Sequence, residues 1–166
     1  MIEPSLTLDG EAFDRAVAAL DTLIASAHAR YALLVDRRGF VLAHREAIWA
    51  PQPPALDAIG TLVASNAAAT SALAGMLGEN SFRELVHQGS GVGLFIEAVN
   101  EDALLAVVFD ESAPLGLVRL HSRRTVEEVA PLFTAPAPSR AEPLSGDFAA
   151  SAQSKLDDLF GAGEGQ

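Results

Sequence analysis

Residues 82–110 read FRELVHQGSGVGLFIEAVNEDALLAVVFD, and this stretch decides the fold class. Three short segments, 82–87, 94–99 and 103–109, carry Val, Leu, Ile and Phe, read as strands and are too short for helices. Gly89-Ser90-Gly91 and Asn100-Glu101-Asp102 separate them. Such residues suit tight turns, because Gly accepts positive φ and Asn or Asp bonds to its own backbone. Connections this short join antiparallel neighbours, whereas parallel strands need a crossover of about a dozen residues or more. The stretch is a three-stranded antiparallel meander.

Working outward, residues 56–77 form the most uniform segment, built from Ala, Leu, Ser, Thr and Asn, with Gly78 placed to end a helix. Pro51, Pro53 and Pro54 break the chain before it. Further upstream, residues 31–35 and 40–44 read as strands joined by Asp36-Arg37-Arg38-Gly39, a hairpin whose Gly39 is suited to positive φ. Asp9 is a candidate N-cap for a first helix, with Glu11 in its first turn. Phe13, Val17, Leu20 and Ile24 recur at helical spacing as its expected buried face. Downstream, Ser112 and Pro114, the latter expected at the first helical position, open a third helix that Pro131 limits. The class is α+β: a five-stranded antiparallel sheet with helices packed on its faces, in the order α-β-β-α-β-β-β-α. This domain spans residues 1–133. Residues 134–150 shift to Ala, Pro, Ser and Glu and read as a flexible linker, and residues 151–166 as a short amphipathic tail.

Composition removes several function classes. The 166 residues carry 22 acids against 11 bases, a net charge of −11. A nucleic-acid binder needs a cationic surface to displace counterions from phosphates, and a polybasic membrane-surface protein needs one too. The absence of cysteine excludes disulfides, thiolate metal sites and Cys nucleophiles. The N-terminus lacks a basic and apolar leader pattern, and the longest uninterrupted apolar run is only 103–109, against the roughly 18 residues of a membrane span. The expectation is a cytoplasmic protein without membrane insertion.

No self-contained active site emerges. His28, His44, His87 and His121 are scattered without metal-ligand spacing. Gly89-Ser90-Gly91-Val92-Gly93 lacks the Gly-Lys-Ser/Thr ending of a phosphate loop and sits between strands, so it reads as a turn. No Gly-x-Ser-x-Gly elbow is present. No metal, cofactor or catalytic residue is expected.

The long helix is the informative surface. On a helical wheel, Ile59, Leu62, Val63, Asn66, Leu73 and Leu77 are expected to face the sheet. Thr61, Ser65, Ala68, Ala72 and Gly75 follow the opposite stripe, and every one is small. No charged residue occurs between Asp57 and Glu79. Either this is an Ala-rich solvent face, or it is a close-approach surface for another helix or another protein. The tail poses the same choice: Leu156, Leu159 and Phe160 share one face beside Asp157 and Asp158. A segment this short is not a stable helix alone, so it frays or docks into a partner's groove.

Several strings give a resemblance. Leu34-Val35-Asp36-Arg37-Arg38-Gly39, Ser65-Asn66-Ala67-Ala68-Ala69, Leu77-Gly78-Glu79-Asn80 and Val107-Val108-Phe109-Asp110 carry it. With the element order, they resemble the Roadblock / dynein light chain family over roughly residues 11–133. Gly78-Glu79-Asn80-Ser81-Phe82 with His87-Gln88-Gly89, the string Leu115-Gly116-Leu117-Val118-Arg119-Leu120, and the tail Leu156-Asp157-Asp158-Leu159-Phe160 narrow it. These are similar to the bacterial members that partner a Ras-like motility GTPase.

The resemblance implies a Roadblock-like homodimer whose sheets join across a two-fold axis, with the two long helices side by side. It implies one Ras-family GTPase per dimer, received on that helix pair, with Ala68 and Ala72 facing it. Thr61 and Ser65 join them by helical geometry. It further implies activation of GTP hydrolysis in cell polarity and motility without an inserted arginine finger, the catalytic Arg and Gln belonging to the GTPase. The cell pole is the implied location. Leu156, Leu159 and Phe160 are implied to dock on a separate region of the GTPase and to influence nucleotide exchange. Two alternatives stay open: a non-catalytic scaffold of the same family, and a small-molecule sensor domain.

Overall fold

The computed structural model describes residues 6–133. The order is α1 (Gly10–Ala27), β1 (Tyr31–Asp36), β2 (Val41–Glu46), α2 (Leu56–Met76), β3 (Glu84–Gln88), β4 (Val92–Ala98), β5 (Ala103–Asp110) and α3 (Leu115–Val129), closed by a 3-10 turn at Ala130–Phe133. The expected order and sheet are observed. Every neighbouring pair is antiparallel and the strands lie β2-β1-β5-β4-β3, so β1 and β5 are central.

Two apolar layers hold the sheet. On one face α1 and α3 cover Ala32, Leu34, Phe95, Leu105 and Val107. On the other, α2 covers Tyr31, Leu33, Val35, Ile96, Leu104 and Ala106 through Val63 and its neighbours. β1 is buried along its whole length because both of its faces are covered. α2 packs chiefly over β1 and β2. Leu85 and Leu94, on β3 and β4 of the same face, are therefore only partly buried.

Asp9 caps α1, its Oδ1 accepting from the Ala12 N–H at 3.0 Å, and His28 ends the helix in the left-handed region at φ 56°. The buried arc of α1 is Ala16, Ala19, Leu20, Leu23, Ile24 and Ala27. Phe13, expected in the core, is exposed. It shares the wheel face of Leu20 and Ile24 but sits in the first turn, ahead of the buried stretch that begins at Ala16. Pro114 stands at the N-cap of α3 rather than at its first helical position. Ser112 belongs to the preceding turn, with its N–H and Oγ both donating to Asp110 Oδ1.

The β1–β2 turn is built as its sequence suggests. Buried Asp36 accepts from the N–H groups of Arg38 and Phe40 at 2.9 Å each, and Gly39 adopts φ +97°. This turn sits directly on α2, and it fixes how that helix is rotated.

Candidate docking surface on the second helix

Thr61, Ser65, Ala68, Ala72 and Gly75 are all exposed on one stripe of α2. The Thr61 hydroxyl donates to the Asp57 carbonyl and the Ser65 hydroxyl to the Thr61 carbonyl, both at 2.9 Å. Both hydroxyl protons are thus spent within the helix, and the stripe presents a low surface with acceptor oxygens.

The neighbouring line departs from expectation. Leu62, Leu73 and Leu77 do not face the sheet; they are 64%, 51% and 65% exposed. The sheet-facing line is instead Leu56, Ile59, Gly60, Val63, Ala67 and Ala74. Gly60 is the reason. A Cβ there would meet the Gly39 carbonyl oxygen at 2.5 Å, so this glycine must lie under the turn. Seating it there swings Leu62 and Leu73 outward. Asn66 is only partly buried. The exposed half of α2 consequently carries two parallel lines: the small stripe, and a larger apolar line of Leu62, Leu73 and Met76.

By length and composition alone α2 is apolar enough to cross a membrane, yet only 22% of its most apolar window is buried in this chain. It lies across the sheet, pinned at Gly60. Beyond Asp57 the helix carries no charge, and its open apolar surface makes this face the candidate docking surface.

Each line borders a groove. Beside the larger line, Ile59, Leu62, Val63 and Asn66 face His87, Val92, Leu94 and Val108 across an apolar groove of about 300 Å³. Beside the small stripe, Ala64, Ala68, Ser71 and Ala72 face Arg37 and Glu101 across a groove of about 540 Å³. Arg37 is exposed but its side chain is tethered. Its Nε donates to the Glu101 carbonyl at 3.0 Å and its Nη2 to the Asn100 carbonyl at 3.2 Å. The turn string predicts the turn; only the partner turn at 100–102, distant in sequence, fixes where the side chain goes.

The perturbed carboxylates lie elsewhere. Asp110 is held down at about 2, first by the Ser112 hydroxyl and then by Arg30, whose Nε stands 2.7 Å away. Glu97 is pushed up by burial, which Arg123 partly offsets. Among the described residues no three His, Asp or Glu side chains are grouped to hold a metal. Leu156, Leu159 and Phe160 lie outside the described residues.

The Roadblock/LC7 domain model matches residues 16–109, more than half of the chain. The chain belongs to the Roadblock/LC7 family. Within that family it closely resembles MglB. It is 56% identical to the gliding protein MglB from Thermus thermophilus, covering 80% of this chain and 98% of that one at a TM-score of 0.77. It is 57% identical to an MglB solved in a tetrameric arrangement, covering 80% and 97% at the same TM-score. It is 31% identical to MglB from Myxococcus xanthus, covering 73% and 96% at a TM-score of 0.68. A comparison with curated proteins gave no match. Both exposed lines of α2 and the Arg37 contact lie within residues 16–109, the stretch that the Roadblock/LC7 model matches.

Proposed function

We propose that this Roadblock protein regulates an MglA-like Ras-family GTPase in cell polarity and motility, from the cytoplasm and at a cell pole. It works as a homodimer that receives one GTPase and stimulates GTP hydrolysis. The observation that carries this reading is the division of the exposed half of α2 into two lines of different character. One is flat and small: Thr61, Ser65, Ala68 and Ala72. The other is bulky and apolar: Leu62, Leu73 and Met76.

The bulky line seats the second copy. Covering a Leu or Met side chain contributes about 1.5–3 kcal/mol, so three such residues counted from both copies outweigh much of the cost of association. Sheet continuation runs through β3. The other edge, β2, is blunted by a register irregularity at Leu34/Val35 and by exposed His44, Arg45 and Glu46, devices that discourage edge pairing. β3 instead offers half-buried Leu85 and Val86. A two-fold contact of this kind sets the α2 helices side by side.

The small stripes then form the upper surface of the pair and accept the GTPase. Activation comes from differential binding: the docked surface favours the GTPase arrangement in which its own catalytic residues reach the γ-phosphate. This chain contributes no catalytic group. Among the described residues the stripe holds no arginine, and Arg37 beside it is tied to two carbonyls, which suits neither insertion nor retraction as a finger. Single-turnover GTP hydrolysis by the cognate GTPase, with and without the chain, tests the reading. Faster hydrolysis supports it. Tight binding at an unchanged rate would make the protein a Roadblock scaffold instead.

A further inference from the structure

Arg37 and Glu101 are the charged groups lining the groove beside the small stripe, and they are not paired with each other. Arg37 bonds the main-chain oxygen of Glu101, not its carboxylate. Among the described residues neither side chain takes part in a salt bridge, whereas Arg30, Arg45 and Arg119 each hold a carboxylate at 2.6–2.7 Å. A guanidinium carries five N–H donors, and the two carbonyl contacts use two of them. A third contact, from the Arg37 backbone N–H to the Asp102 carbonyl at 3.0 Å, fixes the backbone beneath it.

We infer that Arg37 is a specificity-determining residue of the docking surface: its outer N–H groups receive a carboxylate on the docked GTPase, at the margin of the contact made by Ala68 and Ala72. This rests on α2 being the face that binds the GTPase. Three physical points favour a carboxylate. A planar fork suits bidentate recognition of that group. The two carbonyl bonds hold the fork in place before the partner arrives, so little rotamer freedom is lost on binding. From Ala58 to its end at Met76 the α2 helix carries no charge, so a cation for an acidic group must come from beside the helix. Arg37 is the one that lines the groove along Ala68 and Ala72; Arg83 stands further along, in the adjoining groove. Glu101 adds register. A carboxylate over Arg37 is attracted and one displaced toward Glu101 is repelled, and specificity commonly needs both terms.

The test is the affinity of the full-length protein for the cognate GTPase, measured by titration at two salt concentrations. Arg37→Ala should weaken binding roughly tenfold, the loss expected for one charge-assisted hydrogen-bonded contact, and should flatten the salt dependence. Unchanged affinity and unchanged salt dependence would overturn the inference. Glu101→Lys keeps the main-chain oxygen that Arg37 holds. It should tighten binding, and weaker or equal binding would overturn the inference even if Arg37→Ala failed to fold. The double change Ala68→Arg with Ala72→Arg separates the two levels. If it abolishes binding while Arg37→Ala and Glu101→Lys do nothing, Arg37 is not the specificity residue but the docking face stands. If it leaves binding intact, the docking face itself is wrong.

Discussion

The Gly39 carbonyl oxygen occupies the space that a Cβ on Gly60 would need, 2.5 Å away. A Cβ on Gly39 would in turn stand 2.7 Å from the Thr61 Cα, at a φ of +97°. This backbone-on-backbone contact sets the rotation of α2, and with it which residues meet the sheet and which stay exposed. Gly60→Ala should therefore cost about 1–3 kcal/mol, as overpacking against backbone does, and should also weaken GTPase binding by turning the stripe. Urea unfolding and a binding titration on the same variant check both effects. A stability loss with intact binding would mean that the helix is held in rotation by other contacts.

Leu62→Glu with Leu73→Glu should convert the dimer to a monomer without unfolding it, because both side chains are already exposed within one chain. Sedimentation velocity reads the association state and circular dichroism the fold. A dimer that survives both charges would place the seam elsewhere.

Ala68→Arg with Ala72→Arg should leave the dimer intact and remove GTPase binding, since two long cations prevent close approach on a low surface. If sedimentation shows this variant to be a monomer, the small stripe is the dimer seam and the two lines have exchanged roles.

The sheet was legible because short Gly- and Asn-centred turns permit only antiparallel neighbours. The helix ends at Asp9 and Gly78 and the turn at Gly39 follow from single-residue chemistry, and the structure has them as read. The rotation of α2 was not legible. A helical wheel ranks faces by hydrophobicity, and this helix is apolar all round, so the wheel placed Leu62, Leu73 and Leu77 on the sheet. The deciding term was steric: a glycine forced beneath a turn about twenty residues away. Phe13 failed for a different reason: it has the right spacing but stands in the first turn, before the stretch of α1 that is buried. Thr61, Ser65, Ala68 and Ala72 were legible as one exposed stripe because their pattern is small rather than hydrophobic. Arg37 was hidden because its anchor, at Asn100 and Glu101, is distant in the chain.

Two carboxylates give opposite pH effects. Asp110 has a folded value lowered from 3.8 to about 2, so its contribution is present above about 3.8 and is lost as pH falls toward 2. The stability gap between the wild type and Asp110→Asn should be full at pH 6 and should shrink across that window. A gap that stays constant down to pH 2 would contradict the Ser112 and Arg30 contacts as its source. Glu97 is shifted the other way, raised from 4.5 by burial, and its Oε2 has no hydrogen-bond partner among the described residues. Its ionisation opposes folding, so stability falls as pH rises through its folded value. Glu97→Gln should raise the thermal midpoint at pH 8 relative to the wild type and change it less at pH 4.

The measurement that bears most directly on the proposed function is single-turnover GTP hydrolysis by the cognate MglA-like GTPase, with the dimer in excess. The rate should rise about tenfold or more, equivalent to at least ~1.4 kcal/mol off the barrier, and the rise should vanish with Ala68→Arg/Ala72→Arg. Saturated binding with an unchanged hydrolysis rate would contradict it.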